Sequence, residues 1–195
     1  MTPSKVSGIS KPVSVAAIGF PAAVVAALAL VMLCACSKSN TPQTSVPGSD
    51  VNLAYGTKVS FGKGGNSERF RTSGWGKTED QQTRTEGNSA VLNFSGPPRS
   101  QPLKLRITLL PFTKEPELPA QPIEVYANGK KVADWQVIGR STYAASIRAD
   151  AVSDTGALTL EFRIRKAASP QSLGVSADSR QLGVAAFDLV IEKVS

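Results

Sequence analysis

The sequence predicts an all-β fold, an antiparallel, jelly-roll-like β-sandwich of about eight strands, preceded by a signal peptide and a flexible linker. Three observations carry this. Beyond about Val51, apolar residues recur with period two in short runs. Gly, Pro, Asn and Ser separate those runs, and no stretch shows an amphipathic helical period.

The clearest run is "LKLRITLL", where Leu103, Leu105, Ile107 and Leu109 alternate with Lys104, Arg106 and Thr108. Alternation of this kind puts one face in a core and the other in water. "PIEVYANGKKVADWQV" places Ile123 and Val125 before Asn128-Gly129, and Val132 and Trp135 after it. Asn-Gly between two such runs is the strongest short signal for a tight hairpin. "ALTLEFRIR" sets Leu158, Leu160, Phe162 and Ile164 inward, and "GVAAFDLVIEKV" sets Phe187, Leu189 and Ile191 on one face. Further strands are expected at "KVSFG", "ERFRT", "SAVLNF" and "STYAASIRA". Frequent turns joining about eight such strands define a sandwich.

The first third of the 195-residue chain has a different character. Residues 1–12 hold Lys5 and Lys11 and no acid, and 13–33 are uncharged and apolar. A basic stretch followed by an apolar one is the layout of a secretory signal, and a run this long also suffices for an uncleaved anchor. The segment ends in "LCAC", Leu33 to Cys36. This resembles the bacterial lipobox: a branched apolar residue, two small residues, then a Cys. The resemblance implies cleavage before Cys36, acylation of its thiol and lipid anchoring. Ser37 rather than Asp follows, which by the same resemblance implies sorting to the outer membrane, on its periplasmic or surface face. The expected organisation is 1–35 signal peptide, 36–50 acylated Cys and tether, and 51–195 β-sandwich. "SKSNTPQTSVPGSD", 37–50, has the Ser, Thr, Pro and Gly content of a tether.

Cys34 and Cys36 are the only cysteines, so no disulfide staples the domain. Residues 1–35 contain two of the 22 basic residues and none of the 15 acids. The chain from Cys36 therefore carries 20 against 15, a net charge of +5. Such a surface suits an anionic envelope polysaccharide or phospholipid. Nucleic acid is not expected, because no basic helical stripe or aromatic platform appears. There is no His, which excludes His-based triads and the usual zinc sets. "FGKGGN" lacks the spacing and the Lys-Ser/Thr of a phosphate loop. Neither cofactor nor metal is expected, and no catalytic residue is assigned. Glu79/Asp80 and Glu115/Glu117 could serve glycoside hydrolysis only if a cleft brought carboxylates to ~5–10 Å.

Two stretches, "GWGKTEDQQTRTEGNSAVLNF" and "SPQSLGVSADSRQLGVAAFDLVI", together with "VYANGKKVADW" between them, resemble a non-catalytic β-sandwich module found at the ends of membrane glycosyltransferases and other envelope-polysaccharide proteins. The closing match covers Ser169, Pro170, Gly174, Ser176, Asp178, Arg180, Leu182 and Gly183. In the opening stretch Trp75 and Glu79 match, whereas Gln81 and Arg84 stand where the family places further tryptophans. The resemblance implies a non-enzymatic, carbohydrate-binding-like module that attaches to, or helps assemble, a cell-envelope polysaccharide, with Trp75, Glu79 and Arg84 as candidate ligand residues. A second reading is an interaction lipoprotein that docks an envelope protein without touching sugar. Asp178 and Arg180, two apart in a Ser- and Gly-rich loop, read as a clasp that holds the last strand, although the same residues could border a sugar site.

Overall fold

The computed structural model describes residues 53–96 and 101–194, which belong to one compact unit. The expected signal peptide, Cys36 and the tether lie outside the described residues.

Among the described residues, eleven strands form two antiparallel sheets. In chain order they are β1 (Lys58–Ser60), β2 (Arg71–Ser73), β3 (Trp75–Thr78), β4 (Thr83–Glu86), β5 (Ser89–Ser95), β6 (Leu103–Pro111), β7 (Gln121–Ala127), β8 (Lys130–Val137), β9 (Ser141–Ile147), β10 (Ala157–Ile164) and β11 (Leu182–Lys193). One sheet runs β3-β4-β11-β6-β9, with β1 also on β11, and the other runs β2-β5-β10-β7-β8.

From β4 onward the pairings nest. β7 pairs with β8, β6 with β9, β5 with β10 and β4 with β11. A long hairpin rolled so that its successive pairs alternate between sheets is a jelly roll. The eight strands β4 to β11 make that roll, and β1, β2 and β3 are added at its rims.

Period-two alternation became burial wherever it was strongest. Leu103, Leu105, Ile107 and Leu109 of β6 face Leu158, Leu160, Phe162 and Ile164 of β10 within one core cluster, all of them buried. The β7–β8 turn has Asn128 at φ 45° and Gly129 at φ 78°, the two positive φ values that let a two-residue turn follow strand twist. On the outer face of β7, Glu124 is only 8 % exposed; Lys131 donates to it at 2.5 Å and Arg165 also pairs with it.

Two local expectations are corrected. "ERFRT" is not one strand, because residues Ser67–Phe70 form a 3-10 turn that buries Phe70 and only Arg71–Ser73 pair with β5. Phe187 does not share a face with Leu189 and Ile191. A bulge between Ala186 and Asp188 shifts the register of β11 against β6, so Val184 and Ala186 lie in the core before it and Leu189 and Ile191 after it. The extra residue of a bulge reverses the phase of alternation, and here it turns Phe187 to the outer face.

Candidate functional site

The stretch around the candidate ligand residues is a hairpin, β3–β4, and its turn spans Glu79 to Gln82, where the Glu79 N–H donates to the Gln82 carbonyl at 2.8 Å. The interior positions of β4 are threonines. Thr83 donates its hydroxyl to the Phe61 carbonyl at 2.6 Å, and Thr85 accepts the Val184 N–H at 3.0 Å. Both are fully buried, and these bonds offset the cost of burying a hydroxyl. The turn is tied to the segment after β1, since the Lys63 N–H donates to the Glu79 and Asp80 carbonyls and its ammonium pairs with Asp80 at 2.5 Å.

Trp75 stands apart from Glu79 and Arg84. Its ring packs 5.1 Å from Phe61 and 6.4 Å, edge-on, from Phe162. Its indole N–H donates to the Val91 carbonyl on the other sheet at 2.9 Å. The exposed part of the residue lines a small groove of about 240 Å3 with Arg71 and Ser73.

Glu79 and Arg84 lie together. Arg84 Nε donates to one oxygen of Glu79 at 3.0 Å, and Gln82 donates to the other at 2.7 Å. Glu79 then lines a cleft of about 380 Å3 with Asp80, Gln81, Gln82, Arg140 and Phe187. Phe187 reaches this cleft because of the bulge in β11. Arg140, from the loop between β8 and β9, lays its guanidinium over the Phe187 ring at 3.8 Å. Neither Arg140 nor Phe187 was a sequence candidate. No motif marks Arg140, and simple alternation assigns Phe187 to the core.

At the other end of β4, Arg180 donates from Nε and Nη2 to both oxygens of Asp178, the shortest contact being 2.6 Å, while its own backbone N–H donates to Asp178 at 2.9 Å. The same guanidinium donates from Nη1 to Glu86 on β4 at 2.9 Å. Arg180 thus links the loop before β11 to the strand that β11 pairs with. Its side-chain and backbone hydrogen bonds hold the Asp178 carboxyl down at about 2, and Asp178 with Glu86 raises the Arg180 guanidinium above its ordinary value. Among the described residues, no group of three or more His, Cys, Asp or Glu side chains is placed to hold a metal ion.

No family model matches the chain, and no curated protein matches it. Among solved structures, it is similar to the CBM36-1 domain of a multidomain xylanase from the hindgut metagenome of Trinervitermes trinervoides, at 14 % identity and a TM-score of 0.43, covering 71 % of this chain and 98 % of that one. The C-terminal CBM6 of a marine laminarinase from Zobellia galactanivorans is similar at 11 % identity and a TM-score of 0.42, covering 70 % and 98 %. A carbohydrate-binding module CBM36 in complex with calcium and xylotriose is similar at 10 % identity and 0.40, covering 70 % and 99 %.

Proposed function

We propose that the protein is a lipid-anchored, non-enzymatic protein of the cell envelope whose β-sandwich attaches to an anionic envelope polysaccharide through the cleft beside the β3–β4 turn. One observation carries the ligand class. The two acids of the cleft are each matched by a cation, Glu79 by Arg84 and Asp80 by Lys63, whereas among the described residues no carboxylate pairs with Arg140. The uncompensated charge in the cleft is therefore positive. Arg140 is held over the face of the buried Phe187 ring, and beside it stand the amide of Gln81, which can donate and accept, and that of Gln82, whose N–H already serves Glu79. A cation presented to fork onto a carboxylate, with an amide beside it for hydroxyls, suits an acidic sugar. "LCAC" and Ser37 support the anchor at Cys36 and the outer membrane.

The experiment is affinity electrophoresis of the anchored protein in detergent, through gels containing a uronic-acid polysaccharide or a neutral one. Retardation by the acidic polymer alone, relieved by salt and lost in Arg140→Ala at unchanged melting temperature, supports the reading. Equal mobility in every gel would transfer the function to docking of an envelope protein.

A further inference from the structure

Cations also converge away from the glycan cleft. Lys130 and Lys131 at the start of β8, Arg148 just past β9, and Asp150 in the 3-10 turn Ala149–Ala151 line a groove of about 350 Å3. Lys131 is engaged with Glu124 and Asp134. Lys130 and Arg148 share the single carboxylate of Asp150, each at 3.1 Å, and their side chains are 53 % and 83 % exposed. One acid set between two exposed cations orients both and neutralises one, which leaves positive charge at the rim.

The same turn meets the place where the preceding chain enters the sandwich. The Asn128 side-chain amide donates to the carbonyls of Ala151 and Ala157. Val152, next in sequence, lines a small apolar cavity with Leu53 and Tyr55, and the Leu53 N–H donates to the Ser95 carbonyl at 2.7 Å. Lys193 sets a further ammonium 5.8 Å from the Tyr55 ring centroid. The groove and the entry point therefore share one end of the domain. Cys36 precedes Leu53 by 17 residues, 53 less 36. Covalent geometry limits the reach of that many residues to at most roughly 60 Å. Anionic headgroups attract cations within about a Debye length, so the end of the sandwich nearest the tether is the one their field reaches.

We infer that this groove seats the phosphate of anionic phospholipid headgroups in the bilayer that carries the anchor, with Lys130 and Arg148 as the phosphate-contacting residues and Asp150 as the group that holds them in place. The inference rests on the anchoring at Cys36 proposed above.

The test reconstitutes the acylated full chain with vesicles of phosphatidylcholine, alone or mixed with phosphatidylglycerol. Flotation reports the anchor. The rate at which a water-soluble amine reagent acylates Lys130, relative to exposed Lys77 on β3, reports the groove. The expected result is flotation with both compositions and a several-fold slower reaction at Lys130 only with phosphatidylglycerol, relieved by salt and absent in Arg148→Glu. Equal rates with both compositions, under full flotation, overturn the groove and spare the anchor. Flotation with anionic vesicles alone supports the groove and overturns the anchor, and flotation with neither overturns both. Slowing of the Lys130 reaction by a soluble acidic polysaccharide, without vesicles, assigns the groove to glycan and overturns the headgroup.

Discussion

Trp75 on the edge strand β3 donates its indole N–H to the carbonyl of Val91 on the opposite sheet, 2.9 Å away. One side chain thus joins the two layers while its ring closes the core over Phe61 and Phe162. Trp75→Phe keeps most of the apolar contact and orphans the carbonyl, so it should cost about 1–2 kcal/mol. Trp75→Ala should cost about 3–5 kcal/mol, as large-to-small aromatic changes in cores do. Urea unfolding of the two variants distinguishes these values, and equal losses would show that the hydrogen bond is the whole contribution.

The residue before Trp75 sets the angle at which the hairpin leaves β2. Gly74 has φ 73°, and a Cβ there would run into the Ser89 carbonyl. Gly74→Ala meets both a left-handed backbone and a backbone obstacle. The backbone conformation alone should cost about 1–2 kcal/mol, and the clash should add to it. A denaturation midpoint equal to the parent's would remove this account.

Acid should loosen the fold in a defined window. Asp178, beside Arg180, and Glu124, beside Arg165 and Lys131, are each held at about 2 in the folded protein. Unfolded carboxyls titrate at about 4. A depressed folded value means stabilisation that is complete above about pH 4 and is lost as pH falls toward 2. The melting temperature should drop across that window, and Asp178→Asn or Glu124→Gln should each flatten the drop. Arg180→Ala removes the partner of both Asp178 and Glu86, so Asp178→Ala combined with Arg180→Ala should lose less than the sum of the single changes.

In the cleft proposed to bind glycan, Arg84→Ala leaves Glu79 without its cation. Binding of an acidic polysaccharide should weaken roughly two- to fivefold, the range that ~0.5–1 kcal/mol from an exposed pair allows. Glu79→Gln should strengthen it by a similar factor. Titrations at low and high salt check the sign, because both effects should shrink with screening.

Replacement of Cys36 by Ala removes the thiol proposed to be acylated. The variant should accumulate as an uncleaved precursor, and a processed, membrane-retained product would count against the lipobox.

The parts of the fold legible in the sequence are those where a polar residue separates each pair of apolar ones. β6 and β10 alternate without a break, and Asn128-Gly129 names its own turn. β4 was not legible as a strand, because its interior positions are threonines whose hydroxyls find partners only in the folded state. The pairing of Glu79 with Arg84 was within reach of local spacing, and so was that of Asp178 with Arg180. Arg140 and Phe187 were not. Their meeting depends on a bulge, and one added residue in a ladder leaves no mark in composition.

The nested pairing has a temporal side. β11, the last strand in chain order, lies in the middle of its sheet and hydrogen-bonds to β1, β4 and β6. Of the four nested pairs only β7–β8 closes a short loop, and each pair outside it encloses a longer one, so native contacts reward the chain late. Until β11 arrives, β4 and β6 have nothing between them, and the sheet is split into β3–β4, β6–β9 and a β1 without its partner. A chain emerging from a ribosome therefore lacks the strand that joins the parts of this sheet until residues Leu182–Lys193 are present.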